Sequence, residues 1–138
     1  MNAEDYISQV KALDSMIENS LADSEHWWSI ANNTTSNMSG ETFDSSHDPH
    51  KKEAAICKYL DLKAEADALI AKRDGIIETI KKLNSIEYDI LHKLYVQYNW
   101  TLKKIASKYD RRYEWASQKH RLALKHLQKL IDEQTKTP

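Results

Sequence analysis

Residues 100–131 read WTLKKIASKYDRRYEWASQKHRLALKHLQKLI, two stretches with apolar residues at helical spacing on either side of a polar turn. In the first, Leu102, Ile105, Ala106 and Tyr109 face one way, and Thr101 stands ahead of them as a residue whose hydroxyl can cap a helix start. In the second, Ala116, Ala123, Leu124, Leu127, Leu130 and Ile131 form the inner side of a longer helix. Asp110 occupies the turn, and Asp is one of the few non-glycine residues that tolerate a left-handed backbone. Small Ala106 and Ala116 let the two helices approach closely. The pattern is that of a helix-turn-helix, and it sets the fold class as all-α.

Working back from this segment, Asn84 followed by Glu87 has capping-box spacing and predicts a third helix from Ser85, with Ile86, Ile90, Leu91, Leu94 and Tyr95 at helical intervals and an end at Tyr98-Asn99. Before it lies the longest regular pattern in the chain, Tyr59, Leu62, Ala66, Leu69, Arg73, Ile76, Ile80 and Leu83, at alternating spacings of three and four. This heptad seam belongs to a helix starting near His50, and it needs a partner surface, because an isolated helix cannot bury its apolar stripe. A first helix, from about Ala3 to beyond Trp28 with Tyr6, Val10, Leu13 and Ile17 on one stripe, is the nearest candidate, folding back as an antiparallel hairpin. A homodimer through the Tyr59 to Leu83 seam is the other. Arg73 interrupts the seam and is read as snorkelling to solvent at its edge, a pair with an acid of the partner helix being the alternative. Asn32 to Gly40 is rich in residues that prefer turns, so 33–49 reads as a mobile loop. The expected organisation is a coiled-coil-like helical hairpin over 1–84 and a helix-turn-helix domain over 85–138.

Composition agrees with a helical chain. Two glycines and two prolines in 138 residues leave little turn chemistry for sheets, while 41% apolar and 30% charged residues suit a helix-rich domain with a core. No apolar run is long enough for a membrane span. The start, MNAEDYISQ, carries acids where a secretory signal carries bases, which predicts a cytoplasmic protein. The single Cys57 excludes an internal disulfide and reads as a small semi-buried side chain.

The overall charge of −1 conceals a division. Residues 1–50 hold one Lys against nine acids, whereas 99–131 hold nine Lys or Arg against Asp110 and Glu114. A basic end of this kind points to a polyanion, the alternative being an ordinary solvated helix surface. The outer face of the second motif helix presents Tyr113, Glu114, Ser117, Gln118 and Arg121 as candidate base-reading residues, since Gln matches adenine and Arg matches the edge of guanine. Lys103, Lys104, Lys108, Arg111, Arg112, Lys119 and Lys125 are the candidate phosphate contacts, and double-stranded DNA is the expected partner.

The segment WTLKKIASKYDRRYEWASQKHRLALKHLQKL resembles the fourth region of sigma-70-type factors, with Ile105-Ala106 and Ala123-Leu124-Lys125-His126-Leu127 as the matching landmarks. The layout of the whole chain further resembles small phage transcriptional regulators of the ArpU/RinA type. That resemblance implies activation of late genes in a bacterial host, close to the nucleoid. The chain departs from the sigma-like pattern at Lys104, where an acid is common, at Asp110 in place of Gly, at Arg112 in place of Ser, and at His120, where an apolar residue is expected. His120 is read as a partly buried core histidine.

The remaining constellations are weak. His47-Asp48-Pro49-His50 lacks a third ligand at suitable spacing, and no metal or cofactor is expected. His120 and His126 fall on different helix faces. One ring of Trp27-Trp28 is assigned to the hairpin core, and Trp100 and Trp115 to packing around the motif. With no phosphate-cradling glycine loop, nucleophile elbow or paired carboxylates, the chain does not read as an enzyme and has no catalytic residues to name. The competing function class is a helical interaction module that contacts RNA polymerase or another protein through the long heptad helix.

Overall fold

The computed structural model describes residues 1–36 and 49–136, and among them it is all-α. Helix α1 spans Ala3–Ser36, α2 Pro49–Ile80, α3 Ser85–Leu91, α4 Leu102–Lys108 and α5 Tyr113–Lys136. None of them is long and apolar enough to cross a membrane. The polar stretch expected to leave the helix at residue 33 stays helical through Ser36; the rest of the expected loop, apart from Pro49 in α2, lies outside the described residues. Asn32 shows how a turn-former is accommodated: its amide donates to the Trp28 carbonyl at 2.9 Å, one turn back, so the side chain bonds to its own helix instead of ending it. Pro49 opens α2, where its missing N–H costs nothing.

The packing units do not follow chain order. One comprises Met1–Asp14 with Lys72–Pro138, the other Ser15–Ala71. In the first, Ile7 and Val10 are fully buried and Leu13 nearly so, as are Ile76 and Ile80 of the α2 seam. The Tyr6 hydroxyl donates to Thr79 Oγ1 at 3.1 Å, and Arg73 donates to the Asp14 carboxylate, so this part of α1 runs antiparallel to α2. Arg73 therefore does not snorkel. At a seam position its side chain is 27% exposed, and an acid of the opposing helix meets the guanidinium. The Ala3 amide donates to Gln128 Oε1 at 2.7 Å, which satisfies one open N–H of the first turn of α1 from α5.

In the second unit, Ser20, Ser24 and Ala31 of α1 and Ala55 and Ala66 of α2 are buried, while Tyr59, Leu62 and Leu69 are half-buried. The seam residues of both units thus face the interior of the chain itself. Trp27 is half-buried beneath Lys58, whose ammonium lies 5.1 Å from the ring centre, whereas Trp28 is 49% exposed with its ring 4.9 Å from Tyr59. Cys57 is exposed, not semi-buried, because it sits two residues from both Ala55 and Tyr59 and so points away from their stripe.

Helix α3 starts as its sequence predicts, Asn84 Oδ1 accepting from the Glu87 amide at 2.9 Å. It ends differently. Residues His92–Val96 form a π-helical turn closed by the Gln97 amide on the His92 carbonyl at 2.9 Å. The wider turn brings Leu91 and Val96, five residues apart, into the interior together. Tyr98 then leaves the helix with a positive φ of 44°, and the Thr101 hydroxyl caps α4 by accepting from the Lys104 amide at 3.2 Å.

Candidate nucleic-acid interface

Helices α4 and α5 are joined by a turn in which Asp110 adopts φ 56°, the left-handed conformation its residue type suggested. The turn is closed by Asp110 N–H on the Ser107 carbonyl at 3.1 Å and Arg111 N–H on the Ala106 carbonyl at 2.9 Å. Ile90, Ile105, Ala106 and Ala116 form one buried cluster, against which Ile86, Leu94, Trp100, Leu102, Tyr109 and Trp115 pack. The two small alanines lie where α4 meets α5, and both tryptophans serve packing as expected.

Three polar locks tie α3 and the π-turn to the other two helices. Asp89 accepts from Lys93 at 2.5 Å and from the Tyr109 hydroxyl at 2.5 Å, with Lys108 Nζ at 3.5 Å. Burial pushes the Asp89 pKa up, but the hydrogen bonds from Lys93 and Tyr109 and the charges of Lys93 and Lys108 outweigh it, so the carboxyl titrates below its ordinary range. Burial, with the bond to Asp89, pushes the Tyr109 hydroxyl up to about 12. Glu87 is almost fully buried and accepts from His126 Nδ1 at 2.8 Å on each oxygen. The Tyr95 hydroxyl shares a hydrogen bond of 2.8 Å with His120 Nε2. His120 is half-buried as anticipated, and burial holds its pKa below the usual value.

These locks are not legible in the sequence. By its spacing Glu87 is half of a capping box, yet its carboxylate crosses to α5 instead of returning to the Asn84 amide. Only the i,i+4 spacing of Asp89 and Lys93 carried a signal.

With the inner faces committed, the outer ones can be placed. Glu114, Gln118, Arg121 and Lys125 are exposed and follow one another at helical intervals along α5; Ser117, on the same row, is half-buried. Tyr113 is 54% exposed at the first position of the helix. Lys103, Lys104, Lys108, Arg111 and Arg112 are exposed on α4 and the turn. Lys108 is partly engaged, through Asp89 and a position 5.5 Å from the Tyr109 ring centre. Arg111 lies 5.6 Å over Trp115, whose ring is 5.2 Å from that of Tyr109, so a chain of contacts runs from Asp89 to the guanidinium. Lys119 stands apart: two residues from both Ser117 and Arg121, it is turned about 200° from each, and it is half-buried.

Two shallow recesses lie on this surface. Asp110, Arg111, Arg112, Glu114, Trp115 and Gln118 line one at the turn, and Trp100, Lys103, Lys104, Ser107 and Lys108 line the other along α4. The first mixes donors and acceptors, and the second is cationic with an aromatic wall. Among the described residues no group of three His, Cys, Asp or Glu side chains is placed to hold a metal ion; His47 and Asp48 of the weak histidine motif lie outside them. Comparisons of the chain with protein-family models, with curated proteins and with solved structures find no match.

Proposed function

We propose that this chain is a sequence-specific DNA-binding transcriptional regulator, in which α4, the turn and the start of α5 act as a helix-turn-helix. The observation that carries the reading is the two-sidedness of α5. Ala116, Ala123, Leu127 and Ile131 are buried, while Glu114, Gln118, Arg121 and Lys125 stand exposed beside the exposed cations of α4 and the turn. A helix supported from behind with a polar outer row is the form that enters a major groove, and flanking Lys and Arg supply the phosphate contacts that set its register. In this reading Tyr113, Glu114, Ser117, Gln118 and Arg121 face base edges, and Lys103, Lys104, Lys108, Arg111, Arg112 and Lys125 face phosphates. Lys119 contributes least. The resemblance to sigma-70 region 4 and to phage regulators of the ArpU/RinA type supports the same reading and suggests late-gene activation in the cytoplasm of a bacterial host, with no catalytic role.

The test begins by selecting bound fragments from the source genome and titrating the best of them. Arg121→Ala should relax preference at one base pair, with a loss of about 1–3 kcal/mol on the selected site and little on random DNA. Lys104→Ala should weaken binding to all sequences alike and lower the salt slope by about one. Unchanged affinity in both variants would refute this placement of the interface.

A further inference from the structure

The unit formed by Ser15–Ala71 carries an apolar surface that the proposed DNA interface does not use. On α1, Leu21 and Trp28 lie seven residues apart on one row, 39% and 49% exposed. On α2, Ile56 is half-buried and Leu60, one turn later, is 56% exposed, the most open of the large apolar residues there. The contact of Trp28 with Tyr59 brings the two rows side by side. Isolated exposed apolar residues are ordinary, but a set gathered around one ring pair marks a contact surface.

The charges along these rows indicate what covers it. The α1 row interleaves acids, Glu18 and Glu25, with Leu21 and Trp28. Around Leu60 the α2 row interleaves bases, Lys52 and Lys63, with Ile56 and Leu60, and one turn after Lys63 the row passes to an acid, Asp67. All five charged residues are exposed, and Lys63 Nζ lies 3.4 Å from the Tyr59 hydroxyl, at the edge of the ring pair. A partner of one charge sign would satisfy one row and oppose the other. A second copy of this chain, turned about a two-fold axis running along the helices, lays each acidic row on the basic row of its mate, and such self-complementarity is what a two-fold interface requires.

We infer that this face is a homodimer surface in which the rings and leucines form the centre and Glu25 of each copy meets Lys63 of the other. This surface shares only Tyr59, half-buried at its edge, with the Tyr59 to Leu83 seam, and it does not depend on the DNA-binding reading.

Light scattering and sedimentation equilibrium on the full chain at high micromolar concentration test it, with circular dichroism checking the fold of each variant. The wild type should be dimeric. Leu60→Asp should be monomeric with unchanged helicity, since the residue is already open to water. Glu25→Lys and Lys63→Glu should each weaken association by about tenfold or more, since each places like charges opposite one another twice. An equimolar mixture of these two variants should form a heterodimer at wild-type strength, because both cross-pairs are again opposite in sign; a contact within one chain cannot produce that rescue. A monomeric wild type overturns the proposal, as does a Leu60→Asp variant that stays dimeric or a mixture that associates no better than its components.

Discussion

Asp89→Asn tests whether the carboxylate on α3 is the lock that holds the end of α4. In the wild type it accepts from Lys93 and Tyr109 and lies 3.5 Å from Lys108. Lys93 has only 10% of its side chain in contact with water, so loss of its counterion leaves a largely buried ammonium, a change that costs about 3–5 kcal/mol at a dry site. Here a quarter of the Asp89 side chain remains wet, and Asn can still accept one of the hydrogen bonds, which lowers the expectation to about 2–3 kcal/mol. The Lys108 pair, on a half-exposed side chain, adds less than about 1 kcal/mol. For a chain of this size the loss corresponds to a fall in Tm of roughly 10 °C. The pH dependence is a separate check. Because the folded Asp89 pKa lies below its ordinary 3.8, its contribution is present above that value and is lost as pH falls through the folded pKa. Urea titrations of both proteins should therefore show a full stability gap at pH 7 that narrows below about pH 4. A Tm within about 2 °C of wild type, or a gap that persists unchanged in acid, would refute the reasoning.

Three further outcomes are expected. His126→Ala should cost about 2–3 kcal/mol, because the Glu87 carboxylate stays buried without its donor, while the pair Glu87→Leu with His126→Leu should recover most of it; a double-mutant cycle in urea with no coupling would count against the lock. Asp110→Val should destabilise by about 1–2 kcal/mol and Asp110→Gly by little or nothing, since φ 56° penalises a branched side chain; equal urea midpoints for the two variants would remove the turn from the list of constraints. Cys57 should react with a thiol reagent at the rate of a free cysteine in the folded protein, and protection reversed only by denaturant would contradict its exposure.

The contrast between Glu87 and Asp110 shows what kind of feature is legible in a chain before it folds. Asp110 was readable because a backbone preference belongs to a residue and its neighbours. The same holds for Thr101 and Asn84 as caps and for the inward stripe of α5, where every expected residue proved buried or half-buried. Glu87 is legible only in part, because its amide obeys the local rule while its carboxylate answers to His126, 39 residues away. Arg73 and Asp14 pose the same difficulty across 59 residues, and no spacing rule selects one acid of α1 over another. The polar residues from Asn32 onward read as a break because their average preference disfavours helix; at Asn32 a side-chain bond back to the preceding turn shows how that preference is overridden. The outer row of α5 was legible as a set. Which of its neighbours are free and which are engaged was not, and Lys119 and Lys108 changed standing once burial and pairing were known.

By itself the sequence determined the all-α class, the N-caps of α3 and α4, the turn between α4 and α5, and the separation of an acidic N-terminal half from a basic C-terminal end. These follow from periodicity, capping chemistry and charge, all of which act within a few residues. Only the tertiary structure decided that Met1–Asp14 belongs to the unit that holds α3, α4 and α5, that the α2 seam is covered from within the chain, and that Asp89, Glu87 and Tyr95 brace the candidate interface from behind. Those pairings join residues far apart in the chain. Any of several acids, bases and apolar stripes could have met, and the choice among them lies in the simultaneous burial of apolar side chains and the need of each buried charge for a partner.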